Sequence, residues 1–211
     1  MSEVIEKIED LYIPETHREL LKILLEKVSK IFTDNKIEYF IDGGALLGMA
    51  RNKELIPYDD DIDIGVFYKD FHKIIKLLEN NLCDHFKIYI EKPTDALIKV
   101  YVPELWVRNT KTGKVIGTPT LDIFAWEVKK DIIRLSSVLD RQKYKNCYHN
   151  INDFYPLKKR FVSDLLVYTP NNPIPYLHRY YGDDCIHTLK IENRNVNDIA
   201  SKNPIVEIKS T

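Results

Sequence analysis

Apolar residues recur every three to four positions in two stretches of the chain, which is the spacing of an amphipathic helix. The first stretch contains Leu20, Leu21, Leu24, Leu25, Val28, Ile31 and Phe32. It predicts a helix from about residue 16 to 33, and Thr16 and Glu19 match a capping box at its start. The second stretch contains Phe71, Ile74, Ile75, Leu77 and Leu78, and it predicts a second helix there.

Shorter apolar runs and apolar–polar alternation predict strands. The predicted strands are 36–42, 61–67, 86–91, 96–102 and 120–126. A short helix, ALLGMARN, is predicted directly after the glycine pair that ends the first strand. KTGK (111–114) is typical of a turn. Helices interleaved with strands in this order indicate an α/β or α+β domain with a mixed sheet.

The pattern is less regular beyond Trp126. We predict a helix at 131–143 and a helical turn within the proline-containing stretch 170–184. The chain is expected to form one domain over residues 1–211, with a core at about 16–127 and a helical C-terminal portion at about 128–190. The last dozen residues, about 200–211, are expected to be loosely held.

Composition excludes several classes of protein. The 211 residues include 31 basic and 32 acidic ones, so no global positive charge indicates nucleic-acid binding. No apolar run reaches the roughly 18 residues of a transmembrane helix, and the acidic N-terminus does not resemble a signal peptide. Three widely spaced cysteines favour neither a disulfide framework nor a zinc site. We therefore expect a cytoplasmic protein, whose oligomeric state the sequence does not predict.

The stretch IDGGALLGMARNKELIPYDDDIDIGV (41–66) contains four of the seven glycines and a dense cluster of aspartates. In a strand, Asp61 and Asp63 project to the same face, and Ile62 and Ile64 project to the other. Two adjacent carboxylates are tolerated when they are solvated or when a divalent cation lies between them. Oxygen-only ligands suit Mg²⁺ or Mn²⁺. The alternatives are a solvated acidic loop and a calcium loop, although Ile64 stands where an EF-hand requires glycine.

A third carboxylate, Asp122, lies inside the apolar run TLDIFAW (120–126). An unpaired charge is costly in a buried strand, so this aspartate points to a site. If the strand pairs beside 61–67, Asp122 completes a three-carboxylate set. Gly43 and Gly44 lead from a strand into a helix, where free backbone N–H groups meet phosphate oxygens, unless the pair is only a tight turn. Asp60 alternates to the other side and is expected to tolerate substitution.

These motifs together resemble a known family. A glycine pair before a helix, DxD on one strand and an aspartate on a later strand resemble the nucleotidyltransferase fold of the DNA polymerase beta type. The longer string GGALLGMARNKELIPYDDDIDIG (43–65) resembles the signature of the LicD family, which includes fukutin and fukutin-related protein. LDIFAW (121–126) and YLHRYYGDD (176–184) resemble two later elements of that family.

The resemblance implies a transferase that moves a phospho-alcohol group, such as phosphocholine or ribitol phosphate, from a CDP-activated donor to a glycan hydroxyl. Mg²⁺, or alternatively Mn²⁺, would be its cofactor. Two other functions are kept open: a nucleotidyltransferase that adds NMP to a small molecule or protein, and a catalytically silent domain that binds a glycan or a partner.

The resemblance also implies roles for individual residues. Asp61, Asp63 and Asp122 correspond to metal ligands, and Asp122 is in addition a candidate general base for the acceptor hydroxyl. Asp59 matches the first aspartate of the family motif and is expected to contact the donor or a water next to the metal.

Other roles concern the phosphates. Gly43 and Gly44 would cradle phosphate, and Arg51 would contact it or, alternatively, anchor the acidic loop. Lys99 is expected to face the donor, the alternative being a solvated strand lysine. Asp42 departs from the family pattern and is expected to cap the following helix or to add charge near the site.

Overall fold

The computed structural model describes residues 12–83, 85–108, 115–117, 119–191 and 206–209. No helix within these ranges combines the length and the apolar character that crossing a bilayer requires. The predicted turn at 111–114 lies outside the described residues.

Helices and strands alternate along the described chain. The helices are α1 (Glu15–Asp34), α2 (Gly43–Asn52), α3 (Phe71–Asn81), α4 (Val138–Lys143), α5 (Ile151–Phe154) and α6 (Ile174–Tyr181). The strands are β1 (Tyr39–Asp42), β2 (Asp61–Phe67), β3 (Lys87–Ile90), β4 (Leu97–Tyr101), β5 (Trp106–Arg108), β6 (Val115–Gly117), β7 (Thr120–Lys129), β8 (Ile132–Leu135), β9 (Tyr148–Asn150), β10 (Lys158–Val162), β11 (Leu165–Thr169), β12 (Thr188–Ile191) and β13 (Val206–Lys209).

The largest sheet is mixed, as the sequence predicts. Its strands follow the order β1-β2-β7-β4-β3, and β8 extends it by pairing with the end of β7 and with β9. Strands β2 and β7 run parallel, and the other neighbours are antiparallel. The pairs β5–β6, β10–β11 and β12–β13 form separate two-stranded sheets.

One face of the central sheet is apolar and packs against helices. A row of fully buried isoleucines crosses four strands: Ile41, Ile64, Ile123 and Ile98. Buried residues of α1 and α3, among them Leu24, Val28 and Ile74, belong to the same hydrophobic core. Side chains alternate along a strand, so the residue beside each of these isoleucines projects from the opposite face of the sheet.

Helix α1 occurs where the apolar spacing predicts it, but the predicted capping box is wrong. The helix already begins at Glu15, Pro14 occupies the cap position, and no side chain caps it. The Pro14 carbonyl accepts hydrogen bonds from the N–H groups of His17 and Arg18, so the first turn starts before Thr16. Thr16 and Glu19 thus lie inside the helix, where they cannot form the box.

The C-terminal portion is mixed rather than mainly helical, which corrects the expectation for 128–190. Strands β8 to β11 alternate there with three short helices. The helix predicted at 131–143 is a strand up to Leu135, because this segment pairs with the end of β7. A helix begins only at Val138, where the Ser137 hydroxyl accepts a hydrogen bond from the Asp140 N–H.

The expected loose tail lies mostly outside the described residues. Within it, 206–209 form β13 and pair with β12.

Candidate active site

A row of charged residues crosses the central sheet on the face opposite the isoleucines. Asp42 on β1 is the register partner of Asp63 on β2, and Asp63 is the partner of Asp122 on β7. Lys99 on β4 is the next partner of Asp122. The predicted adjacency of strands 61–67 and 120–126 is therefore confirmed. The parallel pairing brings together two carboxylates that are far apart in sequence.

Three of these side chains converge. Asp61, Asp63 and Asp122 each offer a carboxylate oxygen, and the three oxygens lie within 4.8 Å of one another. The set is composed only of carboxylates, and such hard oxygen donors suit Mg²⁺ or Mn²⁺ better than zinc. The geometry therefore fits a divalent cation, and the role of the three residues as metal ligands stays a prediction.

The electrostatics of the three carboxylates also favour a bound cation. Burial raises the pKa of Asp63 well above its usual value, and the carboxylates of Asp61, Asp122 and Asp42 raise it further. Like charges held this close disfavour ionisation unless a positive group offsets them. The N-terminal end of α2, which begins at Gly43, supplies part of that offset through its helix dipole.

Lys99 and Thr120 hold Asp122 in a defined orientation. The Lys99 ammonium forms a salt bridge with Asp122 Oδ2, and the Thr120 hydroxyl donates to Oδ1 over 3.0 Å. Burial alone would lower the pKa of Lys99, but the Asp122 carboxylate outweighs it and the pKa is raised. Lys99 is thus neither a solvated lysine nor remote from the site. The sequence carries no signal that marks Thr120 as part of the site, because threonine is a common residue in strands.

The glycine pair packs directly against the carboxylates. A Cβ at Gly43 would lie 1.9 Å from Asp63 Oδ2, and a Cβ at Gly44 would lie 1.9 Å from Asp59 Oδ2. Gly43 also has a φ of +53°, a conformation that other residues rarely adopt. Gly43 therefore requires glycine for its backbone conformation, whereas a side chain at Gly44 would displace the Asp59 carboxylate. Their predicted contact with phosphate stays a prediction.

Arg51 ties the acidic loop to the C-terminal part of the chain. Its Nε donates to the Cys185 carbonyl over 2.8 Å, and its Nη1 donates to the Tyr58 hydroxyl over 3.5 Å. Tyr58 directly precedes Asp59, so these bonds match the anchoring role that was the alternative for Arg51. Contact with phosphate stays a prediction.

Asp59 and Asp60 lie next to the main set. Their carboxylate oxygens group with that of Asp61 within 4.8 Å. The expectation that Asp60 points away is wrong, because strand β2 begins only at Asp61. Alternation of side chains holds within a strand and does not extend to the loop before it.

Asp42 does not cap α2, although it occupies the cap position. Its Oδ1 lies 3.7 Å from Nε2 of His149, and both side chains are buried. Aromatic rings surround this histidine, with Tyr176 stacked on it at 4.0 Å between ring centroids. Asp42 instead adds negative charge beside Asp63, which was the other expectation for it. His149 shows no ligand spacing in the sequence, and only the tertiary fold brings it to Asp42.

Tyrosines border the acidic face. Burial raises the pKa of Tyr144 and of Tyr181, and the Asp63 carboxylate raises both further, which places these rings near the site. Tyr176 lies in the core, whereas Tyr180 is half-buried and stacks on it. Half-buried rings beside a carboxylate set are suitable surfaces for a base or a sugar.

Comparison with known proteins identifies this arrangement. Residues 36–172 match the family described as LicD/FKTN/FKRP, nucleotidyltransferase domain. An uncharacterized protein of Rickettsia typhi is 31% identical over 165 residues, which cover 76% of this chain and 45% of that protein. The lipopolysaccharide cholinephosphotransferase LicD of Haemophilus influenzae is 32% identical over 97 residues, covering 44% of this chain and 36% of that protein. Human ribitol 5-phosphate transferase FKRP is 44% identical over 34 residues, covering 16% of this chain and 7% of that protein.

The chain spans about half the length of the first two curated relatives, 45% and 53% respectively. Among solved structures, a lincosamide antibiotic adenylyltransferase covers 83% of this chain and is itself covered to 97%, at 17% identity and a TM-score of 0.45. The family match covers well over half of the chain and includes the glycine pair, both strands of the carboxylate set and Lys99. The chain therefore belongs to the LicD/FKTN/FKRP family, through its nucleotidyltransferase domain.

Proposed function

We propose that this domain is the catalytic part of a Mg²⁺- or Mn²⁺-dependent transferase that moves a phospho-alcohol group from a CDP-activated donor to a glycan hydroxyl. The convergence of Asp61, Asp63 and Asp122 beside the glycine pair carries the proposal. Relatives named as a cholinephosphotransferase and as a ribitol 5-phosphate transferase support this kind of reaction.

Asp61, Asp63 and Asp122 would hold the cation. A divalent cation bound there supplies charge stabilisation for the phosphate oxygens in the transition state. Burial and the neighbouring carboxylates raise the pKa of Asp63, and a bound cation would oppose both by favouring the ionised carboxylate.

The chain's other residues would bind and orient the reactants. In the proposed reaction, the acceptor oxygen forms a bond to the phosphorus that carries the alcohol. The bond from that phosphorus to the CMP oxygen breaks, and CMP leaves with the electron pair. Asp122, oriented by Lys99 and Thr120, is the candidate to receive the proton of the acceptor hydroxyl.

Donor binding would fall to the groups around the carboxylates. The backbone N–H groups of Gly43 and Gly44 lie at the N-terminus of α2, which favours phosphate. Asp59 and Lys99 border the same space and would contact the donor, and Arg51 would contact phosphate while it anchors the loop.

A thermal-shift screen tests the proposal most directly. CDP-choline, CDP-ribitol, CDP-glycerol and sugar nucleotides are added with and without Mg²⁺, because a ligand of the native state raises its apparent stability by mass action. We expect one CDP-alcohol to raise the melting temperature only with Mg²⁺. Asp61→Asn should remove this shift. Asp131→Asn, which changes an exposed aspartate in the turn after β7, is the matched control and should keep it.

The products of turnover then discriminate the alternatives. Free CMP together with a phospho-alcohol on the acceptor supports the proposal. NMP attached to the acceptor would instead establish a nucleotidyltransferase. Absence of any metal-dependent shift with all these donors would favour a silent binding domain.

A further inference from the structure

A second concave region lies at the C-terminal end of α2. A groove of about 790 Å³ opens between the last turn of α2, strand β10 and the segment 171–174 that leads into α6. Helix α2 rises about 1.5 Å per residue, so Asn52 at the groove is about 12 Å from Gly44 at the carboxylates. A group bound in the groove is therefore a different group from the one that reacts.

The groove is positively charged although the whole chain is nearly neutral. Its described lining contains Arg51, Lys53 and Arg160 and no acidic residue. Because the Arg51 guanidinium is bonded to Tyr58 and to the Cys185 carbonyl, Lys53 and Arg160 are the two cations assigned to the groove. Three asparagines and the exposed ring of Phe161 also line it, and its apolar part is formed by Met49, Ala50, Pro173 and Ile174. The helix dipole favours basic residues at the end of α2, which accounts for Arg51 and Lys53. It does not account for Arg160, which belongs to β10.

Arg160 is held in place by neutral acceptors. Its Nη1 donates to the Thr169 hydroxyl and to the Pro170 carbonyl, and its Nη2 donates to the Asn171 carbonyl. Burial lowers its pKa, and within the described chain no carboxylate forms an ion pair with it. The guanidinium is thus a fixed and partly desolvated cation without a counter-charge.

The hydrogen bonds of Arg160 leave one edge of its guanidinium available to an anion. A guanidinium has five N–H donors, and three of those of Arg160 are used. Nε–H and one Nη2–H remain, and such adjacent donors bind carboxylate or phosphate in a bidentate manner. The nearby carboxylates of Glu54 and Asp153 are engaged with Ser163 and Asn172.

We propose that this groove binds a saccharide that carries a phosphate or carboxylate group, with the anionic group on Arg160 and Lys53. Asparagine amides and an exposed aromatic ring beside the cations are groups that contact sugar hydroxyls and sugar rings. The groove is then the acceptor site, and this last assignment rests on the proposed transferase function. An oligosaccharide spans the distance to the carboxylates, with the reacting hydroxyl at one end of α2 and the anionic group at the other.

Calorimetric titration of the full chain tests the site without donor, metal or turnover. Glucose 6-phosphate and glucuronate are the anionic probes, and glucose and inorganic phosphate are the references. We expect both anionic sugars to bind more tightly than glucose, and glucose 6-phosphate to bind more tightly than inorganic phosphate. Lys53→Glu should weaken binding of the anionic sugars about tenfold or more, since it replaces a charge-assisted hydrogen-bond donor with a like charge.

Lys159→Glu is the matched control. It changes the same charge on the exposed neighbour of Arg160, outside the groove, and should alter affinity less than about twofold. Arg160→Lys should also weaken binding, because lysine lacks the bidentate edge. Lys53 is exposed, so its variant keeps the test valid even if the Arg160 variant unfolds.

Two results would overturn the inference. Equal affinity for glucose and glucose 6-phosphate, or equal weakening by Lys53→Glu and Lys159→Glu, would show that the groove is not an anion site. If inorganic phosphate bound as tightly as glucose 6-phosphate, the sugar would contribute nothing to binding, and the assignment of a saccharide ligand would be wrong. Failure of the donor screen would refute the transferase proposal but leave these binding results intact, so the two failures are distinguishable.

Discussion

Two neighbouring rows across the central sheet have opposite chemistry. Ile41, Ile64, Ile123 and Ile98 form one row, and Asp42, Asp63, Asp122 and Lys99 form the other. Each charged residue is the chain neighbour of an isoleucine, and the two rows lie on opposite faces. The same four strands therefore build the main core with one face, whereas the other face carries the candidate site and a smaller aromatic cluster around Phe40 and Trp126. A slip of one residue in any strand would exchange the two faces, so core burial also sets the register of the site.

The largest effect is expected in the charged row. Asp63→Asn should reduce transfer about a thousandfold, because it removes a central carboxylate of the proposed cation site. The metal-free protein should be at least as stable as the wild type, since the substitution relieves repulsion among carboxylates. Turnover with the donor found by screening, and thermal unfolding in EDTA, measure the two effects. Substantial remaining activity would contradict the assignment of Asp63.

The isoleucine row should affect stability instead. Ile64→Ala is expected to lower the free energy of unfolding by about 2–5 kcal/mol, because it leaves a cavity in a fully buried position. Ile64→Val, the matched smaller change, should cost about 0.5–1.5 kcal/mol. Urea unfolding measures both. If Ile64→Ala lost less stability than Ile64→Val, the row would not be part of a packed core.

A smaller effect is expected at the end of the charged row. Lys99→Met should destabilise the metal-free protein by about 1.5–3 kcal/mol, because Asp122 loses its charged hydrogen-bond partner in a largely buried position. Saturating Mg²⁺ should restore part of this stability by replacing the lost positive charge. Lys87→Met on the exposed edge strand β3 is the control and should change little. A loss that Mg²⁺ does not reduce would argue that Lys99 and the cation do not share Asp122.

The smallest effect is expected at Thr120. Thr120→Val keeps the shape of the side chain but removes its hydrogen bond to Asp122, which should cost about 1 kcal/mol. Thr120→Ser retains a hydroxyl and should recover much of this loss. Thermal unfolding in EDTA compares the two variants. Equal stability of valine and serine at this position would mean that the hydroxyl does not support Asp122.

The local pattern of apolar and polar residues predicted the strands that carry the candidate active site. The strand over 61–67 occurs with the predicted bounds, and Asp61 and Asp63 share the face opposite Ile62 and Ile64. Local pattern failed at 131–143, where β8 forms because its residues pair with β7. Strand pairing across the sheet outweighed the weak helical preference of that segment.

The sequence by itself determined which residues are candidates for the chemistry and which face of each strand is buried. Apolar alternation is a local property, and the glycine pair, the DxD strand and Asp122 can all be recognised without a fold. The tertiary structure decided which distant residues meet: Lys99 and Thr120 at Asp122, His149 at Asp42, and Arg160 at the end of α2. Such contacts depend on strand order and register, which arise from burial across the whole chain, so no local pattern predicts them.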